Sequence, residues 1–231
     1  MMLLQLILNL VLPRRCPVCG CRMNKKEGSP CVACYLHLPR THYASFPYDN
    51  EMARLLWGKI PVERVAAFFY FKPQSAAARL VYQIKYNNKP ELAVEVASRL
   101  TKESDFCDFF CDIDCIVPMP LARKREKERG YNQCLSIAEG LSRTTHIPVV
   151  ADAVERISFK ASQTKMNHWE RIENVEGVFR LKNPEYIAGK HVLLVDDIMT
   201  TGSTICSCAK ELLRASNIKI SIFTLGYTKT M

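Results

Sequence analysis

Apolar positions follow two different spacings along the chain, and the alternation between them is its first structural signal. VERVAAFFYF, residues 62–71, is continuously apolar in its second half and predicts a buried strand. QSAAARLVYQIKY, 74–86, sets Leu80, Val81 and Ile84 on one side at helical spacing. KPELAVEVASRL, 89–100, predicts a second helix with Pro90 in its first turn. Then come strand CIVPMP (115–120), helix YNQCLSIAEGLSR (131–143), a polar stretch from about 156 to 177, strand HVLLVDD (191–197), helix STICSCAKELLRA (203–215) and strand IKISIFTLGY (218–227). Strands alternating with helices of this length predict βαβ units: an α/β fold with a mainly parallel sheet flanked by helices. Such sheets bind ligands beyond the carboxyl ends of their strands. The acids that end HVLLVDD fall at that edge.

The first residues, MMLLQLILNLVLP, hold an apolar run of about ten residues. It is too short to span a bilayer and lacks the basic start of a secretory signal, so it reads as a short helix packing on its own protein. A cytoplasmic protein without a transmembrane segment is expected. At 48% hydrophobic and 24% charged residues over 231 positions, the composition excludes extended disorder and allows one sizeable domain with an appendage. Pro39 and Pro47 flank the polar, aromatic THYASF and place a boundary near residue 45, dividing 1–45 from 46–231. The formal charge of +9 favours an anionic partner.

Eleven cysteines without a signal peptide point to reduced thiols or metal. Cys16 and Cys19, then Cys31 and Cys34, form a CxxC…CxxC pair, the spacing with which two turns present four thiolates to one tetrahedral zinc. Cys21 is the first substitute should one of the four fail, and His37 is a further possible ligand. Such a site is closed, hence structural: it folds a segment too small for its own core. The loop between the knuckles keeps Arg22, Lys25 and Lys26. Cys107, Cys111, Cys115, Cys134, Cys206 and Cys208 lack paired spacing and read as buried free thiols. His42, His146, His168 and His191 have no partner spacing and read as ordinary surface or partly buried histidines.

The chemistry concentrates in LLVDDIMTTGST, 193–204. Gly202 allows a sharp turn and Ser203 or Thr204 starts a helix, so hydroxyls and N–H groups of Thr200, Thr201, Gly202, Ser203 and Thr204 converge where a helix N-terminus receives phosphate. Asp196 and Asp197 must then point toward hydroxyl donors or a magnesium ion. A sugar phosphate carries vicinal hydroxyls at one end and a phosphate at the other. A receiver-domain acid cluster or a Walker B strand also pairs acids, but neither predicts TTGST, and no GxxxxGK[ST] lies upstream.

This segment resembles the signature of type I phosphoribosyltransferases, the loop that binds the ribose 5-phosphate part of phosphoribosyl pyrophosphate (PRPP). Read with the four cysteines, IKYNNKPELA (84–93), VPMPLARKREKERGYNQ (117–133) and SQTKMNHWERIENVEGVF (162–179), the chain resembles the ComF family over nearly its entire length. The resemblance implies a phosphoribosyltransferase-like domain behind a zinc module, PRPP bound with magnesium, and a role in DNA uptake during natural transformation. By position, Asp196 and Asp197 would hold the ribose hydroxyls and help organise magnesium, while Thr200 to Thr204 hold the 5-phosphate.

The resemblance also places a pyrophosphate-side loop after VPMP, where Arg123, Lys124, Arg125, Lys127 and Arg129 stand against Glu126 and Glu128. Taken alone, that run also fits a solvated helix face of mixed charge. Arg129, Tyr131, Asn132 and Gln133 match an RGxNQ-like element. Gln163, Arg171 and Asn174 match a segment that is often a mobile flap in type I relatives, and Lys85 is a further candidate. Two functions follow: a PRPP-binding competence factor that handles single-stranded DNA beside other competence proteins, with Tyr131 or Trp169 stacking on bases, or a transferase moving phosphoribosyl from PRPP to a base or amine. The zinc module, the overall charge of +9 and the absence of a legible base pocket favour the first, in which the basic knuckle loop and the 121–129 run track phosphates.

Overall fold

The computed structural model describes residues 14–24, 27–157 and 177–229. Four strands build one parallel sheet in the order β1 (Val65–Tyr70), β6 (Lys219–Tyr227), β5 (His191–Met199), β2 (Cys115–Pro118). Val192 to Val195 of β5 are fully buried, which requires cover on both faces and explains why the strand reads as a continuous apolar run. β3 (Val154–Arg156) and β4 (Phe179–Leu181) form a separate antiparallel pair. They bracket the polar stretch expected from about 156 to 177. Most of that stretch, including Gln163, His168, Trp169, Arg171 and Asn174, lies outside the described residues. So do the apolar run of residues 1–13 and Lys25 and Lys26.

The helices are α1 (Val32–Leu36), α2 (Glu51–Arg54), α3 (Ala76–Tyr86), α4 (Pro90–Leu100), α5 (Arg123–Arg129), α6 (Gln133–Thr145) and α7 (Ser203–Leu212). α3 starts two residues later than its periodicity predicts. Gln74 has φ +64°, and the Ser75 side chain caps the helix by accepting from the Ala78 N–H. α4 and α6 cross closely because Gly140 has no side chain: a Cβ there would stand 2.4 Å from the Val94 carbonyl. α6 also packs on β2 and β5, and α7 packs on β3, β4 and β5. Together they frame the carboxyl end of β5.

Residues 14–45 dock on α3 and α4 rather than standing off. Arg99 lies 3.7 Å from the Tyr35 ring centre and donates to the Pro30 carbonyl, Arg79 donates to the Val18 carbonyl, and Arg40 pairs with Glu103. One contiguous apolar core runs from Cys16 through the sheet to Tyr227.

Two expectations need correction. The residues after β2 form a helix, α5, where a pyrophosphate-side loop was expected; Gly130 at φ +79° ends it. Cys107 and Cys111 are exposed, because the turn containing them directs Phe106, Phe109 and Phe110 into the core and leaves the thiols outside. Cys115, Cys134, Cys206 and Cys208 are buried as expected, and His191 is buried with its ring beside the Ser221 hydroxyl.

Candidate functional site

β5 does not stop at the acids. It continues to Met199, pairing Asp196 with Thr224 and Ile198 with Gly226 on β6. On its other side β2 ends at Pro118 opposite Val195, so both carboxylates project past the neighbouring strand. The start of α6 fills that gap. Asn132 orients it, accepting from the Cys134 N–H while donating to the Met119 carbonyl.

The two acids meet different surroundings. Asp197 is buried, and its carboxylate receives the Lys85 ammonium at 2.8 Å and the Gln133 amide at 2.6 Å. Asp196 accepts from the Asp197 N–H at 2.8 Å and from the Cys134 thiol at 3.3 Å. Burial first, and then the charge of Asp197, push the Asp196 carboxyl up to about 7. Burial next to these acids also raises the Cys134 thiol well above its usual range. Half-buried Arg156 is held below its ordinary value by burial and then by Arg125, with Asp196 acting in the opposite sense. An acid this readily protonated is one that a cation or hydroxyl donors would return to its charged form. The Cys134 thiol and the carboxylates of Asp196 and Asp197 lie within 4.8 Å of one another and form a group that could hold a metal ion.

Directly after β5, Thr200 to Gly202 turn into α7. Gly202 has φ +78°, and a Cβ there would stand 2.8 Å from the Met199 methyl and 3.0 Å from Leu56, so no larger residue fits the turn as built. The hydroxyls of Thr201 and Ser203 lie 3.0 Å apart. With Asp196, Thr200, Gly202 and Thr204 they line a small polar hollow of about 50 Å³ at the N-terminus of α7. N–H groups and hydroxyls at a helix start favour an anion.

The other candidates divide. Arg123, Lys124, Arg125 and Lys127 are exposed on α5. Arg129 turns back, donating to Gln133 Oε1 at 2.7 Å. Arg129, Gln133 and Asp197 therefore form one hydrogen-bonded chain, with Lys85 closing on the same carboxylate. Tyr131 is half-buried and its hydroxyl donates to the Ile84 carbonyl, so its ring is fixed between α3 and α6.

At the N-terminal end, the sulfurs of Cys16, Cys19, Cys21 and Cys31 all lie within 4.8 Å of one another. The Cys34 thiol lies outside that group of four and is pushed up by burial first and then by its hydrogen bonds with the thiols of Cys19, Cys31 and Cys16. Cys16 Sγ also faces the N–H groups of Val18 and Cys31, the donors that stabilise a metal-bound thiolate. Such a cluster is compatible with a zinc module. The His37 ring instead faces the Ala33 carbonyl at 2.7 Å.

Comparison with known proteins agrees with this layout. Residues 131–228, from the start of α6 through the end of β6, match the family model "Phosphoribosyl transferase domain". The DNA utilization protein YhgH of Escherichia coli (strain K12) is 30% identical over 216 residues, which cover 92% of this chain and 90% of that protein. The chain belongs to the ComF family. This ComF-family chain is also 35% identical to Competence protein ComFC of Bacillus subtilis (strain 168) over 129 residues, 53% of this chain and 50% of that one. A crystal structure of adenine phosphoribosyltransferase aligns at 17% identity over 62% of this chain and 73% of that chain, with a TM-score of 0.40. The family match over residues 131–228 and the parallel sheet flanked by helices make this an α/β, phosphoribosyltransferase-type fold.

Sequence reasoning missed how this ComF-family chain supports its site. Gln133 and Lys85, expected on the pyrophosphate or DNA side, both meet the Asp197 carboxylate, a contact no local pattern announces. Cys134 was expected as a plain buried thiol and touches Asp196. Arg64, buried with its guanidinium donating to the carbonyls of Asp108, Phe109 and Cys111, drew no attention because no local pattern marks a contact more than forty residues away.

Proposed function

We propose that residues 200–204 bind the 5-phosphate of PRPP, while Asp196 and Asp197 serve the ribose hydroxyls. The observation that carries this reading is the polar hollow at the start of α7, lined by the residues of the turn together with Asp196 at the carboxyl end of a parallel strand. Bound magnesium would offset charge on the pyrophosphate. The chain's own residues would fix the sugar: Gly202 admits the backbone to the phosphate, Thr201 and Ser203 donate, and Lys85 with Gln133 holds Asp197 in place. Arg129 and the α5 cations stand on the pyrophosphate side of this arrangement.

The names of the relatives, DNA utilization and competence, support a role in DNA uptake. In that role the protein handles incoming single-stranded DNA on its basic surface, beside other proteins of the uptake machinery. A cytoplasmic location belongs to the same reading; among the described residues no helix is long and apolar enough to cross a membrane. We infer one structural zinc on Cys16, Cys19 and Cys31, with Cys34 the fourth ligand by spacing and Cys21 by proximity, in a module ending near residue 45. The match to a phosphoribosyl transferase domain supports a second reading, transfer of phosphoribosyl from PRPP to a base or amine in salvage.

A thermal-shift panel tests the first reading. PRPP with magnesium raises the melting temperature by mass action, and ribose 5-phosphate does so more weakly. No shift with PRPP and magnesium rules out the ribose-phosphate site. Pyrophosphate release that depends on an added base moves the conclusion to the salvage enzyme.

A further inference from the structure

The outer face of α3 carries two tyrosines that the fold does not use. Tyr82 and Tyr86 are each 58% exposed, and their rings lie together with centroids 4.8 Å apart at 42°. Leu80, Val81 and Ile84 supply the helix's share of the core, so these rings are not holding α3 to the sheet. Adjoining exposed aromatic faces mark a surface that receives something.

The neighbourhood says what. The Arg129 guanidinium carbon lies 5.3 Å from the Tyr86 ring centre, so the aromatic pair runs directly into α5. Along α5, Arg123, Lys124, Arg125 and Lys127 are exposed and form no ion pair among the described residues. On the other side of Tyr86, Lys85 turns inward to Asp197. Aromatic faces beside a helix whose four exposed cations outnumber its two exposed acids, Glu126 and Glu128, match the chemistry of a single strand, whose bases are free to stack while its phosphates follow the charge. A duplex hides its base faces, and a protein partner has no need of the cation row.

We propose that Tyr82 and Tyr86 are the base-stacking platform for single-stranded DNA, with α5 carrying its phosphates, so that the strand passes the mouth of the ribose-phosphate site. The platform stands beside the stacking residues expected from sequence. Tyr131 is tied to Ile84, and Trp169 lies outside the described residues. This deepens the DNA-handling reading and rests on it.

The test is fluorescence anisotropy with a labelled oligothymidylate of about twelve nucleotides and an abasic phosphodiester strand of the same length, each across a salt series. The wild type prefers oligothymidylate by roughly tenfold or more, since each stacked base contributes on that scale. Tyr82→Ala with Tyr86→Ala lowers that affinity to the abasic level, leaves the salt dependence as it was, and keeps the PRPP-magnesium thermal shift, which shows that the variant folds. Tyr82→Phe with Tyr86→Phe retains the preference, because the rings remain. Alanine at Arg123, Lys124, Arg125 and Lys127 weakens both strands and flattens the salt slope by about two to three units. Salt-dependent DNA binding that ignores the two tyrosines, or equal affinity of the wild type for both strands, overturns the platform and leaves the DNA reading standing. No binding at low salt overturns both, while the PRPP shift separately judges the ribose site.

Discussion

Replacing Lys85 by Met removes the cation beside a buried carboxylate but keeps the length and apolar stem of the side chain. Lys85 is 20% exposed and Asp197 9%, so water replaces little of the lost interaction. Breaking a fully buried pair costs roughly 3 to 5 kcal/mol, and partial access to water here lowers the expectation to about 2 to 4 kcal/mol. The loss also has a pH signature. Burial and then the charge of Asp197 push the Asp196 carboxyl up to about 7, with Lys85 opposing the rise, so removing Lys85 moves it higher. A carboxyl whose folded pKa is raised above its unfolded value of about 3.9 contributes stability at low pH that is lost as pH rises through the folded value. The deficit of Lys85→Met relative to wild type is therefore largest above about pH 8 and shrinks toward about pH 6. Urea unfolding followed by circular dichroism at both pH values measures it, and combination with Asp197→Asn recovers part of the loss because the pair is coupled. A Lys85→Met protein within about 0.5 kcal/mol of wild type at the higher pH, or equally destabilised at both, refutes the bracing role.

The remaining predictions concern other parts of the chain. Purified protein carries about one zinc per chain, lost in Cys16→Ser with Cys31→Ser; full metal in that variant shows the ligands are wrong, and comparing Cys21→Ser with Cys34→Ser identifies the fourth. His191 is held below its ordinary value by burial first and by Arg64 second. The folded protein thus binds fewer protons than the unfolded chain below about pH 6.5, and stability is lost as pH falls through that region. His191→Gln removes that contribution, so an unchanged pH dependence of the melting temperature between about pH 5 and 7 contradicts it.

The sheet and the turn into α7 were legible because both are local. Val192 to Val195 announce a doubly covered strand, and Thr-Thr-Gly-Ser-Thr announces a turn into a helix within a few residues. The supports were not legible, since Lys85, Gln133 and Asp197 come from three separated elements and meet only through the packing of α3 and α6 around β5. The α5 residues had a helix-compatible charge pattern all along. Nothing local decides whether seven charged residues between a Pro-rich turn and a glycine stay extended or coil. Cys21 shows the same limit, because CxxC spacing selects Cys34 while the turn that bonds Cys16 N–H to the Cys21 carbonyl brings another sulfur into the cluster.

PRPP bound as proposed places its phosphate at the start of α7. Calorimetric titration of PRPP with magnesium into wild type and Ser203→Asp tests it most directly. Ser203 is exposed and opens α7, where a carboxylate is favoured by the free N–H groups, so this variant folds with an equal or higher melting temperature. The same carboxylate occupies the phosphate's place and repels it. The wild type binds one PRPP per chain and Ser203→Asp gives no binding heat; a variant that binds PRPP as tightly as the wild type contradicts a phosphate site at the start of α7.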